Sequence, residues 1–286
     1  MSWNDIWNAM FGGLPDYGAI LELVANSVWA GAILGLVGGL IGVFVMQRDM
    51  AFAVHGISEL SFAGAAAALL FGFDVVTGSI IGSIIAAAMI GWLGARARDR
   101  NSIIGVLMPF GLGLGILFLS LYNGRSANRF SLLTGQIVSV QSGQLGWLAG
   151  ISIVVLLGLL LVWRPLRFDS LDPQGAAARG VPVRAVSLLF MLLLGLIVAV
   201  SVHIIGALLV MALLVTPAAA AMRIAAGPLA VPLLAALFGL VSAVGGIMLA
   251  IAGTLPVSPY ITTVSFVIYL VCRAVGARRD RVSRAE

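Results

Sequence analysis

The chain alternates between long apolar runs and short polar segments. Runs of about 20 residues, the length that crosses a bilayer as a helix, fall at residues 24–46, 51–71, 75–94, 103–121, 144–163, 229–252 and 258–275. A further run at 184–222 is too long for one helix and suits two crossings, or one crossing and a re-entrant half-helix. Its most polar point, "SVHIIG" at 201–206, is the natural place for a turn. The pattern predicts an all-α, polytopic helical bundle of eight or nine spans.

Composition supports a membrane protein and limits the choice of partners. The 286 residues are 61% hydrophobic and 9% charged, with a mean hydropathy of +1.14, whereas soluble domains are about 25% charged. In a soluble domain the net charge of +5 would suggest nucleic acid. Here the basic residues lie mainly between apolar runs and act as topology signals, so we expect lipid contacts and no nucleic acid partner. The lone Cys272 excludes a disulfide framework and a Cys-based metal motif.

The distribution of arginine predicts the orientation in the membrane. With nine crossings and the N-terminus outside, every Arg except Arg125 and Arg129 lies inside, which is 14 of 16. If 184–222 were one helix, eight arginines would lie on each side of the membrane, and there would be no excess of positive charge inside. We therefore expect a multi-pass protein of the plasma (inner) membrane with a cytoplasmic tail at 276–286. Residues 1–286 form one predicted domain, and 1–17 form an interfacial helix or a disordered leader.

Two ionisable residues lie inside a predicted span. In "FAVHGISEL", His55 and Glu59 share one helical face because they are four residues apart. Glu59 lies about eight residues past the helix start, roughly 12 Å at 1.5 Å per residue, which is near the midplane. A carboxylate at that depth costs several kcal/mol unless it is paired, protonated or hydrated. Imidazole and carboxylate are ordinary ligands of zinc, manganese and iron, and a proton relay or a structural pair are the alternatives.

Other residues carry weaker signals. His203 lies at the proposed outer turn, where it is a candidate metal ligand, although a solvated loop histidine is the favoured interpretation. Pro217 lies near the end of a span and predicts a helix break close to a functional pathway. The chain has no HExxH, G-x-S-x-G or P-loop motif, so neither an enzyme nor an ATP site of its own is expected.

Several ordered segments resemble the permease subunits of zinc/manganese-type ABC importers. They are "VMQRDMAFAVHGISELSFAGAA" (45–66), "LLTGQIVSV" (132–140), "RFDSLDPQGAAARGVPV" (167–183), "IIGALLVMALLVTPAAAAMR" (204–223) and "LPVSPYITTV" (255–264). The resemblance covers nearly the whole chain. It implies the fold of vitamin B12-type importers, a permease homodimer on two cytoplasmic ATPase subunits, and an extracytoplasmic metal-binding protein. The metal, zinc first and then manganese or iron, is cargo, and no permanently bound cofactor is implied.

The resemblance also assigns roles to particular residues. Many relatives carry Asp and then His at the positions of His55 and Glu59, so the spacing is kept here while the donors change. The loop at 164–184 becomes the candidate ATPase contact, with a short helix in "DPQGAAARG" that Gly180 terminates. The residues predicted to couple to the ATPase are Asp169, Asp172, Arg179, Gly180 and Pro182. An importer of a metal chelate or cobalamin, an ion- or proton-coupled secondary transporter, and a membrane scaffold stay open as alternatives.

Overall fold

The structure, a computed structural model, describes residues 23–93, 97–122, 137, 140–252 and 256–283, with the backbone alone at 97–100, 208 and 279–283. Ten helices lie in these described ranges. They are α1 (Ala25–Gln47), α2 (Ala51–Phe71), α3 (Val75–Leu93), α4 (Ala97–Leu121), α5 (Ser142–Leu171), α6 (Pro173–Ala178), α7 (Val183–Ile205), α8 (Ala207–Ile224), α9 (Ala230–Ile251) and α10 (Val257–Ser283). The predicted interfacial helix at 1–17 and most of segment 132–140 lie outside the described residues.

The predicted spans are confirmed in number and in type. Eight of the described helices are long and apolar enough to cross a membrane, and Leu209–Ile224 forms a shorter apolar helix. The long run at 184–222 is two helices, as the arginine distribution predicts. The break lies at Gly206, whose φ of 82° is a conformation that residues with a Cβ rarely adopt.

Helices α4, α5 and α10 extend further than the predicted apolar runs. Helix α5 continues to Leu171 and α10 continues to Ser283, so parts of the predicted loop 164–184 and of the predicted tail 276–286 are helical. Helix α8 runs through Pro217 without a break, contrary to the prediction from sequence. Proline removes one backbone hydrogen bond, but Pro217 and the next residue, Ala218, are buried, and packing within a membrane bundle tolerates such a loss.

Contacts divide the chain into two compact units, which are described separately. The first unit comprises residues 1–43, 137–145 and 212–286. Within it, α1 lies directly against α9, because a Cβ added at Gly35 would collide with the backbone of Gly239. Helix α10 packs on α9 in the same way, where a Cβ at Gly246 would lie 2.6 Å from Ile261 Cα. Small residues thus let these helices approach closely, as in many membrane bundles.

The second unit comprises residues 44–136 and 146–211 and is organised around α2. Helix α2 packs against α3, α4 and α7. The face toward α3 depends on small residues, since a Cβ at Gly64 would collide with the carbonyl oxygen of Gly78. A single domain over 1–286 stays a prediction.

The close approach of α1 and α9 is testable with two glycines of α9. A Cβ at Gly239 meets the Gly35 carbonyl group, whereas a Cβ at Gly245 meets no described atom within 4 Å. We expect Gly239→Ala to lower the free energy of unfolding by about 1–3 kcal/mol, the usual cost of overpacking. Gly245→Ala should leave it unchanged or slightly raised. Thermal unfolding of both variants in detergent measures the difference, and equal stabilities would contradict the packing described here.

Candidate metal site

His55 and Glu59 lie together in the middle of α2, as predicted. The helix begins at Ala51, so Glu59 is eight residues from its start, about 12 Å along the axis. The distance from His55 Nε2 to Glu59 Oε1 is 3.6 Å, and their side chains are 25% and 7% exposed. The spacing along the helix thus produces one compact pair, with the carboxylate almost inaccessible and the imidazole partly open.

Helix α4 forms a close wall beside this pair. A Cβ added at Gly111 would lie 3.0 Å from the carbonyl carbon of Glu59, so the two backbones are nearly in contact. One turn earlier along α2, Gly56 faces the side chains of Ile104 and Met108. The backbone at Gly56 and Glu59 is therefore packed closely against α4, and the Glu59 carboxylate, 7% exposed, is largely shielded from water.

The imidazole and the carboxylate converge without being hydrogen-bonded to each other. A separation of 3.6 Å exceeds the usual hydrogen-bond range, and the buried Nδ1 of His55 has no hydrogen-bond partner among the described residues. If one ion lay about 2.1 Å from both Nε2 and Oε1, the Nε2–ion–Oε1 angle would be about 118°, within about 10° of the tetrahedral value. The geometry therefore suits a shared divalent cation.

The set of donors is incomplete within the described part of the chain. No group of three or more His, Cys, Asp or Glu residues converges there. A structural metal site is closed by four ligands, whereas a site that must release its ion keeps open positions. A pair of donors alone therefore suits reversible binding.

A chain of serine hydroxyls fixes the orientation of α2 near the pair. Ser61, two residues beyond Glu59, lies with its Oγ 2.7 Å from Ser79 Oγ on α3. Ser79 Oγ in turn donates to the carbonyl oxygen of Ala199 on α7 at 3.1 Å. These buried contacts join three helices and limit the rotation of α2 about its axis. The sequence did not predict these hydroxyl contacts. The only indication of them in the sequence is that Ser61 and Ser79 each lie inside an apolar run.

The structure does not bring His203 to the pair. His203 lies in the last turn of α7 and is half-buried, so the favoured interpretation as a solvated loop residue is wrong. It interacts electrostatically with Asp74, which follows the far end of α2. Glu59 is 12 residues before the end of α2 at Phe71, or about 18 Å at helical rise, and Asp74 lies beyond that end. The turn lies at Gly206, the last residue of the predicted turn segment 201–206, because the helical hydrogen bonds continue to that residue.

Four of the residues predicted to couple to an ATPase lie in an exposed segment, and the fifth is buried. Asp172 caps α6 by accepting a hydrogen bond from the Gly175 N–H at 2.9 Å, and Gly180 follows with a φ of 81°. The predicted short helix and its glycine terminus are therefore confirmed. Asp169 is only 2% exposed and forms an ion pair with Arg48, so it is placed for an internal contact rather than a surface contact.

Pro217 belongs to the first unit, and its role near a pathway stays a prediction.

An apolar groove of about 800 Å³ lies between α2, α3 and α4, apart from the pair. Its wall includes Leu60, Phe71, Ile85 and Phe110, and Asp74 and Thr77 are the polar groups at its edge. Neither His55 nor Glu59 lines it. The groove therefore supplies no ligand set for a hydrated ion.

Fold and site together define a class of protein. Eight apolar helices and a buried pair of donors in mid-helix describe a multi-pass membrane transport protein, since ionisable residues at that depth mark ion and substrate pathways. The chain belongs to the ABC 3 transport family, whose sequence model matches residues 20–276. This membership confirms the resemblance carried by the motifs. It makes the chain the membrane-spanning permease of an ABC transporter and not an enzyme, with ATP hydrolysis on a separate subunit.

Individual relatives extend this result. The chain is 33% identical over 223 residues to the manganese transport system membrane protein MntC of Halalkalibacterium halodurans, covering 78% of this chain and 76% of that protein. It is 28% identical over 265 residues to the manganese import system permease protein ScaB of Streptococcus parasanguinis, covering 92% and 94%. The solved structure of PsaBC from Streptococcus pneumoniae in complex with Fab superimposes with a TM-score of 0.81 at 25% identity, covering 91% and 95%.

Asp74 lies directly before α3, and its role as the N-terminal cap of that helix can be tested. The Thr77 N–H donates to its carboxylate at 2.8 Å, and this bond lowers the pKa of Asp74 below its ordinary value. The carboxylate then stabilises the folded state above the unfolded pKa, and this contribution is lost as the pH falls through the lowered value. We expect Asp74→Ala to cost about 1 kcal/mol at neutral pH, with a smaller difference from wild type below pH about 4. Thermal unfolding across pH checks this.

Asp74→Asn is the matched control. It keeps an oxygen acceptor at the helix start but does not titrate. Its difference from Asp74→Ala should therefore be independent of pH. If Asp74→Ala is as stable as wild type at neutral pH, Asp74 does not stabilise the start of α3 as a cap.

Proposed function

We propose that this permease moves a divalent transition metal inward as part of an ATP-driven importer. The observation that carries the proposal is the pair of His55 and Glu59 in mid-helix, with a 3.6 Å gap between Nε2 and Oε1. Relatives named for manganese transport and manganese import support an ion as the cargo. Membership of an ABC family makes ATP the energy source, which sets the ion- or proton-coupled transporter aside.

Manganese comes first among the candidate metals, ahead of zinc and iron. The sequence alone placed zinc first, and that order stays untested. The names of the relatives favour manganese, and a Glu carboxylate is a hard oxygen donor that suits it. A lone imidazole is acceptable to each of these metals. Discrimination among manganese, zinc and iron would therefore depend on metal ligands other than His55 and Glu59.

The proposed orientation has the N-terminus outside and the α5–α7 connection in the cytoplasm. The ion pair of Arg48 with Asp169 supports this, since it puts the α1–α2 turn and the end of α5 at the same end of the second unit. Both regions carry arginine that the positive-inside rule assigns to the cytoplasm. The exposed Asp172, Arg179, Gly180 and Pro182 would then face the ATPase subunits.

The remaining partners are those that the resemblance to metal importers implies. An extracytoplasmic metal-binding protein would deliver the ion at the outer face. A second copy of the permease would contribute an equivalent pair or shape a shared path. Binding requires a deprotonated carboxylate and a free imidazole nitrogen. Alternating access, driven by ATP on the partner subunits, would then expose these few ligands to the cytoplasm, where the ion leaves.

Removal of either donor tests the site. We expect His55→Ala and Glu59→Gln each to reduce ATP-driven manganese uptake at least tenfold, because one remaining ligand holds the ion too weakly. The measurement uses proteoliposomes that contain the permease, its ATPase and the binding protein. Ser120→Ala is the control, since its exposed hydroxyl donates to the Leu117 carbonyl oxygen of its own helix and has no other partner in the described part of the chain. Wild-type uptake in both donor variants would refute the site assignment.

An exchange of donors separates a metal site from a structural pair. The double variant His55→Asp with Glu59→His restores the donor order of many relatives at the same spacing. Since one carboxylate and one imidazole remain on the same face, we expect uptake within about tenfold of wild type, far above either single-donor variant. Competition between manganese and zinc measures the change in preference. Loss of uptake in a correctly assembled complex would contradict interchangeable metal ligands.

A further inference from the structure

A buried ion pair lies beside the N-terminal end of α2, the helix that carries the candidate metal site. Arg48 is in the turn between α1 and α2, and Asp169 is in the last turn of α5. Arg48 Nη1 lies 2.5 Å from Asp169 Oδ2, and their side chains are 10% and 2% exposed. Such a short, enclosed contact between charged groups differs from a solvated surface salt bridge, which is weak and mobile.

Further contacts hold the guanidinium in one orientation. Arg48 Nη2 donates to Ser187 Oγ on α7 at 2.9 Å. The Arg48 Cζ atom lies 5.6 Å from the centre of the Phe190 ring, also on α7. The guanidinium therefore contacts α5 and α7 at once, and its planar fork makes each contact directional.

The ion pair connects two regions that the proposed function treats separately. Asp169 is three residues before Asp172, whose carboxylate caps the exposed helix α6. Arg48 is seven residues before His55, in the turn that precedes the helix carrying both donors. A displacement of α6 can therefore pass through α5 and the ion pair to the short turn that leads into α2.

We propose that the Arg48–Asp169 ion pair couples movement of the α5–α6 segment to movement of α2, so that ATP hydrolysis on the partner subunit shifts the His55–Glu59 pair. This inference rests on the proposed function. Arg48 and Asp169 are positioning residues, since neither contacts the ion. In the buried setting, separating the charges is costly, so the two helix ends move together.

The test removes the link without leaving a buried charge. The double variant Arg48→Met with Asp169→Leu replaces both ionic side chains with apolar ones, a change that buried pairs often tolerate without loss of stability. We expect this complex to assemble and hydrolyse ATP at a rate within about twofold of wild type. Manganese taken up per ATP hydrolysed should fall at least tenfold. Arg273→Met, at an exposed position of α10, is the control and should keep the wild-type ratio.

A charge exchange provides a second, independent measurement. The double variant Arg48→Asp with Asp169→Arg keeps an ion pair in reversed order, and it should recover at least part of the uptake per ATP that the apolar variant loses. If the apolar variant takes up as much manganese per ATP hydrolysed as wild type, the ion pair does not couple the two segments. A charge-exchanged variant that folds and assembles but has no more uptake per ATP than the apolar one would also overturn the coupling role. If the wild-type complex itself takes up no metal, the proposed function fails instead, and the two failures are distinct.

Discussion

The energetic cost of placing a charge in hydrocarbon shapes every part of this protein. A charged side chain at the bilayer centre is unfavourable by several kcal/mol, and only 9% of the residues are charged. Among the described residues, Glu59 and Asp169 are the buried acidic side chains. Each has a cationic or titratable neighbour, His55 for the first and Arg48 for the second. The same cost that keeps charges out of the helices therefore makes these two pairs the candidates for a functional role.

Helix α2 links the two pairs because it is held on three sides. It packs against α3, α4 and α7. The Gly64–Gly78 contact and the Ser61–Ser79 hydroxyl contact both join it to α3, and Gly111 brings α4 close to its backbone. Close packing of this kind leaves a helix able to shift as a rigid body but not to bend freely. A rigid α2 keeps Nε2 and Oε1 at a defined separation, and it also transmits a displacement applied near Arg48.

The incompleteness of the candidate metal site is consistent with transport. Four-ligand sites bind tightly and serve folding, whereas a permease of the ABC 3 transport family has to release what it carries. His55 and Glu59 provide a nitrogen and an oxygen donor, and within the described ranges neither side chain forms a hydrogen bond that an ion would have to break. The change from the commoner Asp–His order to His–Glu keeps both donor types, so it would alter selectivity more than function.

Local patterns in the sequence determined the helices, the division of 184–222 at Gly206, the i, i+4 pair and the family, because each depends on residues close together along the chain. Tertiary structure decided the rest. Arg48 and Asp169 are 121 positions apart, and the Ser79 contact with Ala199 spans 120, so no periodicity relates these partners. Asp169 reads as a loop residue in the sequence and is buried in the fold. Burial and partnership depend on which helices meet, and for helices so uniformly apolar that is decided by close packing of small residues, which hydropathy does not record.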